Sequence, residues 1–149
     1  MEFYRIVNLK SSEQDLQHEL TLSNLEEFCT EIFNLNTPTE TEVQIGGIWG
    51  EFTLRRNEIK GGIRFALVEC PNALCWTIAT GYPPNPDSII IHLTINRKEK
   101  DEVFIEEINE FLDDIEVNLN KFLEQNYKLI ELLSNEFQIT STHLKPTQE

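Results

Sequence analysis

The period of the hydrophobic pattern changes once along the chain, and this change constrains the fold more than any other feature. Between Val43 and Ile95, apolar and polar residues alternate in four segments, which is typical of strands with one buried face. From Asp101 onward the apolar residues recur every three or four positions, which is the pattern of an amphipathic helix. The sequence therefore predicts an antiparallel meander that is followed by a long C-terminal helix.

Two further elements precede the meander. Residues 3–7 predict a first strand, and Ser23-Asn24-Leu25-Glu26 matches a capping box, which predicts the start of a helix. Pro38 and its neighbouring asparagines end that helix. The predicted fold class is α+β: an antiparallel sheet of four to six strands packed on an N-terminal helix and a long C-terminal helix. We expect one domain over residues 1–137 and a polar C-terminal tail over 138–149.

The chain is strongly acidic. Lysine and arginine number 12 against 26 acidic residues, so the formal net charge is −14. This charge repels phosphate and anionic lipid, so we expect no nucleic-acid partner and no membrane surface as a partner. The three cysteines do not have metal-finger spacing, and the start of the chain does not resemble a secretion signal. These features predict a cytoplasmic protein with reduced thiols; a Cys70–Cys75 disulfide is the alternative.

The start of the C-terminal helix concentrates the negative charge. Residues 101–116 carry eight acidic residues and no base. Four of them follow one stripe at spacings of four, four and three: Glu102, Glu106, Glu110 and Asp113. A solvated helix face explains this stripe, and a docking surface for a basic protein partner is the functional alternative. The spacing and glycine of an EF-hand are absent, so no metal site is predicted.

The helical stripe is longer than the sheet it could cover. At 1.5 Å per residue, a helix from Asp101 to Leu133 would be about 50 Å long, whereas an eight-residue strand spans about 27 Å. The helix must therefore bend at Asn126 or project beyond the sheet. The other face of the sheet is too polar for the end of the helix to fold back onto it. The sequence predicts a homodimer, or a partner groove, at Tyr127 to Leu133, with Ile130 among the contact residues.

A cysteine and a histidine could form a catalytic pair. Residues 82–87 could close a hairpin in which Trp76 lies opposite Ile91. In that register Cys75 lies opposite His92. A thiolate beside an imidazole can act as a nucleophile. A register shifted by two residues keeps the same faces buried and separates the pair. Because no third orienting group and no oxyanion-binding loop can be named, the sequence favours a protein that is not an enzyme, and it predicts no cofactor.

Two further clusters have ordinary structural explanations. Arg55, Arg56, Lys60 and Arg64 fall in one predicted hairpin, where they could protect a sheet edge or contact the acidic helix of a second copy. Residues 46–50, Gly-Gly-Ile-Trp-Gly, precede a strand and lack the lysine of a phosphate-binding loop. These glycines predict a bulge or a tight bend.

Two architectures accommodate this order of elements: both helices cover one face of the sheet, or the sheet curls around the last helix. The second architecture resembles the helix-grip arrangement of the Bet v 1 and polyketide-cyclase superfamily, although this sequence predicts one strand fewer than that arrangement has. This resemblance implies an apolar ligand between sheet and helix. Small acidic secretion chaperones are similar in size and charge, but they insert a helix where residues 71–73, Pro-Asn-Ala, leave no room.

The charge, the acidic stripe and the lack of a catalytic set favour a non-enzymatic acidic protein-binding module of the chaperone, inhibitor or adaptor type. The alternative is a helix-grip-like carrier of a small apolar ligand, or an enzyme built on such a cavity. The aromatic residues that could line this cavity are Phe52, Phe65, Trp76, Phe104 and Phe111.

Overall fold

A computed structural model describes the backbone of residues 1–143 and the side chains of residues 1–137. Seven strands form one antiparallel sheet in the order β1-β7-β6-β5-β4-β3-β2. The strands are β1 (Glu2–Val7), β2 (Ile32–Asn34), β3 (Glu42–Gly47), β4 (Gly50–Ile59), β5 (Gly62–Leu67), β6 (Cys75–Thr80) and β7 (Ile89–Thr94). The prediction of four to six strands is too low because β2 has only three residues, which are too few to show an alternating period.

The helices are α1 (Glu13–Glu19), α2 (Leu25–Phe28) and α3 (Glu102–His143), and a 3-10 turn (Leu22–Asn24) precedes α2. The predicted α+β class with a long C-terminal helix is confirmed, but the N-terminal helical region consists of short pieces. The predicted tail at 138–149 includes the last residues of α3, and 144–149 lie outside the described residues. No helix within the described part of the chain is long and apolar enough to cross a membrane.

The capping box expected at residues 23–26 does not form. Helix α2 begins at Leu25, and Asn24 precedes it without a side-chain capping bond. The Oε1 atom of Glu26 instead accepts a hydrogen bond from the backbone N–H of Asn34, 2.9 Å away. This bond links β2 to α2, which has only four residues.

One face of the sheet is buried, as the alternation predicts. Along β7, for example, Ile89, Ile91 and Leu93 are fully buried, whereas the residues between them are partly exposed. We call this buried side the inner face. Helices α1 and α2 cover one end of the sheet, and α3 crosses the inner face beside them.

The sheet curls around α3. Phe111 of α3 contacts the ring of Trp49 in the β3–β4 turn, with 5.2 Å between centroids. Two residues later, Asp113 bonds Arg5 of β1 at the other edge of the sheet. Strands β1 and β4 would lie about 19 Å apart in a flat sheet, whereas a helix is about 10–12 Å wide. One helix can therefore reach both only if the sheet is curved, which is the helix-grip arrangement.

Helix α3 does not break at Asn126. The Nδ2 atom of Asn126 donates to Oε2 of Glu19 at 2.9 Å, and the hydroxyl of Tyr127 lies 2.6 Å from that of Ser11. The helix is thus attached to α1 at this level, and no proline or glycine interrupts it. Its 42 residues span about 63 Å, so the part after Tyr127 projects beyond the sheet.

Candidate functional site

A chain of seven aromatic rings runs between the sheet and the helices. Neighbouring centroids in this chain are between 5.1 and 6.0 Å apart. The rings follow one another in the order Phe104, Trp49, Phe111, Trp76, Phe65, Phe28 and Phe122. Because these distances suit favourable aromatic pairs, the seven rings form packed core at the centre of the helix-grip interior.

A recess remains at the end of this chain where α3 begins. It has a volume of about 160 Å³ and is mainly apolar. We call it the α3 pocket, and it is lined by Trp49, Phe52, Leu67, Cys70, Pro71, Asn72, Leu74 and Phe104. Of the aromatic residues that the sequence suggested for a cavity, Phe52 and Phe104 line this pocket, whereas Phe65, Trp76 and Phe111 belong to the packed core.

Two tight segments position the walls of the α3 pocket. Gly47 pairs with Gly50, so Trp49 lies in a two-residue turn between β3 and β4, and Gly50 takes a φ of 109°. The predicted tight bend of residues 46–50 is therefore present. In the β5–β6 loop, the backbone N–H of Leu67 bonds the carbonyl of Leu74 at 3.1 Å. The intervening residues form the opposite wall.

One residue that lines the α3 pocket carries a polar group without a partner. The Nε1 atom of Trp49 is buried and has no hydrogen-bond acceptor among the described residues. On the opposite wall, the backbone carbonyl of Asn72 accepts from the N–H of Asn96 at 2.8 Å. A buried donor that lacks an acceptor costs about 1–3 kcal/mol. A ligand that offers an acceptor to Trp49 would recover this cost.

Sequence reasoning missed most of this wall. The sequence indicates Trp49 only as part of a glycine-rich segment, Cys70 only as a disulfide candidate and residues 71–73 only as a segment too short for a helix. An unpaired tryptophan in a turn between two glycines was the available signal, because a large apolar ring in a turn needs a surface to cover. The loop residues gave no signal, since their position beside Phe104 depends on the curvature of the sheet.

A larger, polar recess lies elsewhere. It has a volume of about 750 Å³ and is bounded by α1, the 3-10 turn, the β2–β3 loop and β4. On its wall, Arg56 is only 9% exposed. Its guanidinium donates to the carbonyls of Leu20 and Gln17 at 2.8 and 2.6 Å. Burial lowers the pKa of Arg56, while the charges of Glu58 and Glu40 oppose this shift.

The expectation that Arg56 protects a sheet edge is therefore wrong. Its side chain lies on the inner face and holds the end of α1 against β4. Its neighbour Arg55 points outward and bonds Glu42, with 2.8 Å between Nη2 and Oε1. The alternation of side chains along β4 separates the two arginines.

The predicted Cys75–His92 pair is not formed. In the β6–β7 register, Cys75 lies opposite Thr94, and His92 lies opposite Thr77. The Sγ atom of Cys75 is 3.2 Å from the hydroxyl of Thr94. His92 stacks on Tyr4 with 4.4 Å between ring centroids. The register differs by two residues from the one that would pair them, and both registers bury the same face.

The cysteines are all free thiols, so the Cys70–Cys75 disulfide is also absent. Cys70 faces the α3 pocket on the inner side of the loop, whereas Cys75 lies on the outer face of the sheet. Burial raises the pKa of the Cys29 thiol well above its ordinary value, and the charges of Asp114 and Glu31 add to this effect. Within the described residues, no cluster of three or more ligand-type side chains could hold a metal ion.

The acidic residues of α3 fall into two groups. Glu102, Glu106 and Glu110 are exposed, as a docking surface for a basic partner would require. Asp113 instead accepts a hydrogen bond from Nε of Arg5 at 2.9 Å, which partly neutralises it. Asp114 accepts from the backbone N–H of Thr30 at 2.8 Å. Part of the acidity thus attaches α3 to the body of the protein, and a partner-binding role of the exposed residues stays a prediction.

The predicted contact segment 127–133 is also divided. Tyr127 is half-buried and bonds Ser11, so it belongs to the body of the protein. Ile130 and Leu133 are 55% and 56% exposed, so they are not part of the buried core.

This architecture has counterparts among solved structures. No protein-family model and no curated protein matches the chain. A START superfamily protein from Mycobacterium smegmatis superposes with a TM-score of 0.56 at 12% identity, over 83% of this chain and 97% of that chain. The protein XoxI from Bacillus cereus gives 0.57 at 13% identity, over 84% and 97% of the two chains. A putative uncharacterized protein from Bacillus thuringiensis gives 0.51 at 12% identity, over 83% and 99%.

These likenesses show the fold: an α+β helix-grip structure with START-superfamily neighbours. At 12–13% identity they do not transfer a ligand or a reaction.

Proposed function

We propose that this protein binds a small, mainly apolar ligand in the α3 pocket. The observation that carries the proposal is the buried indole N–H of Trp49, which has no acceptor among the described residues, on a residue that lines an apolar recess of about 160 Å³. Ligand sites of proteins typically combine apolar walls with a few polar groups that set orientation. The helix-grip fold supports the proposal, because the pocket lies between the sheet and the last helix.

The volume limits the ligand. A dry apolar cavity of about 150 Å³ is known to hold one benzene molecule. The α3 pocket therefore fits one ring with a short substituent, or a chain of about six carbons. Typical sites for drug-sized molecules begin near 300 Å³, so a larger ligand would have to extend into solvent. The acceptor that faces Trp49 should be neutral, since the net charge of −14 disfavours an anion.

Two molecules of the same shape test this proposal. Acetophenone carries a carbonyl acceptor, and α-methylstyrene replaces it with a methylene group. Each would be titrated into the 15N-labelled protein while the indole N–H resonances of its two tryptophans are recorded. We expect acetophenone to shift the Trp49 resonance downfield and to bind about tenfold more tightly than α-methylstyrene, because only the ketone satisfies the indole N–H.

Three variants control this experiment. Cys70→Phe fills the α3 pocket with a ring and should abolish binding. Val103→Phe adds the same ring at a position of α3 that is 65% exposed and should leave binding unchanged. Trp49→Phe assigns the resonance and should equalise the two affinities. Binding that survives Cys70→Phe, or no binding of either probe at millimolar concentration, would contradict the proposal.

A further inference from the structure

The projecting part of α3 carries an exposed apolar surface. Beyond Tyr127, five large side chains are between 55% and 73% exposed. We call them the α3 patch: Leu129, Ile130, Leu132, Leu133 and Phe137. By contrast, Leu119 and Leu123 on the preceding turns are fully buried. Monomeric proteins seldom expose contiguous apolar surfaces of more than a few hundred Å², so this patch indicates a binding surface.

The α3 patch continues the stripe that packs on the sheet. Ile130 follows the buried Leu123 by seven residues, and Leu133 and Phe137 follow at spacings of three and four. These are the a and d spacings of a coiled coil. The same face of one helix is thus buried in its first part and exposed in its second. Packing of the exposed part against a partner would stabilise it, because most helical stability in proteins comes from burial of an apolar face.

We propose that the α3 patch is the interface of a homodimer in which the projecting parts of two α3 helices pack antiparallel. Charge argues for a second copy rather than a charged partner. Between residues 127 and 137, the charged residues are Lys128, Glu131 and Glu136, so the segment has a net charge of only −1. A nearly neutral apolar stripe is complementary to itself, and a twofold axis through it closes the assembly.

The position of the two bodies argues for the antiparallel orientation. A parallel pair would place both bodies on the same side of the interface, although the stripe face of each α3 is covered there by its own sheet. The acidic segments 101–116 would also lie on that side and repel each other. An antiparallel pair that crosses near Leu133 would place the two copies of Asp113 about 60 Å apart, well beyond the Debye length of about 8 Å in physiological salt.

The size of the α3 patch suits a weak dimer. Five side chains that are more than half exposed would remove on the order of 500 Å² from each copy, or about 1,000 Å² in total. This total is at the lower limit of biological interfaces. We therefore expect a dissociation constant in the micromolar range.

Sedimentation velocity between 1 and 200 micromolar tests the proposal. The wild type should change from the 17.4 kDa chain mass to twice that mass over this range. Leu133→Glu should raise the dissociation constant at least 100-fold. Val117→Glu places the same charge on α3 within the body, at a residue that is 52% exposed, and should leave the dimer unchanged.

Three results would overturn the proposal. One is a wild type that remains monomeric at 200 micromolar, even if it binds another molecule through the α3 patch. Another is a dimer that persists in Leu133→Glu, with circular dichroism showing that the variant is folded. The third result concerns orientation. For the antiparallel dimer, an increase of NaCl from 50 to 500 millimolar should change the dissociation constant less than threefold. A larger decrease of the dissociation constant with salt would indicate that the acidic segments lie side by side.

Discussion

Replacing Arg56 by methionine should destabilise the protein far more than the same change at Arg55. Arg56 is 9% exposed, and its guanidinium donates to the carbonyls of Leu20 and Gln17. The closest carboxylate, that of Glu58, is 4.0 Å from Nη1 and belongs to a side chain that is 60% exposed. The two carbonyl bonds, rather than an ion pair, therefore retain the buried charge.

The magnitude follows from what methionine leaves behind. Its thioether can occupy the space of the arginine stem, so the loss of apolar packing is small. The two carbonyls lose a charged donor, and each unsatisfied buried acceptor costs about 1–3 kcal/mol. Part of this cost is offset, because burial of the guanidinium is itself unfavourable and already lowers its pKa. We expect a net loss of about 2–4 kcal/mol.

Urea denaturation of the wild type and the two variants measures this difference. Arg55 forms an exposed pair with Glu42, so Arg55→Met should cost less than about 1 kcal/mol. In a chain of this size, the expected loss for Arg56→Met corresponds to a melting temperature lower by roughly 5–15 °C. If Arg56→Met were as stable as the wild type, or no less stable than Arg55→Met, the assignment of Arg56 to the attachment of α1 would be refuted.

Two further predictions concern backbone space and pH. A Cβ atom on Gly62 would lie 2.0 Å from the carbonyl oxygen of Ile78, so Gly62→Ala should cost at least about 3 kcal/mol in urea denaturation. Gly81→Ala, at a φ of 85° in open space, should cost only about 1–2 kcal/mol of strain, and equal costs would contradict this reasoning. Burial, together with the charges of Asp114 and Glu110, raises the pKa of Glu31. The folded state therefore holds a proton on Glu31 more readily than the unfolded state does, and it loses stability as the pH rises above about 4.5. Glu31→Gln should therefore melt higher than the wild type at pH 7 and equally at pH 4; a lower melting temperature at pH 7 would show that the carboxylate is stabilising.

Some contacts could not be predicted from the sequence, because one local pattern is compatible with more than one tertiary arrangement. A strand has a period of two, so a slip of two residues between β6 and β7 leaves Trp76 and Ile78 buried in either register. The choice between the registers decides whether Cys75 meets His92 or Thr94, and no local pattern distinguishes them. Likewise, Ser23 and Glu26 have capping-box spacing, but Glu26 bonds β2 because Asn34 comes within reach only in the folded chain.

What the sequence determined by itself was the set of surfaces that must be buried. The alternation from Val43 to Ile95 and the stripe after Asp101 specify the inner face of the sheet and the contact face of α3, because burial of apolar area is a local requirement of each element. The excess length of α3 over the strands follows from rise per residue alone. The α3 pocket was decided only by tertiary structure, since Trp49, Asn72 and Phe104 are far apart in sequence and meet through the curvature of a seven-stranded sheet.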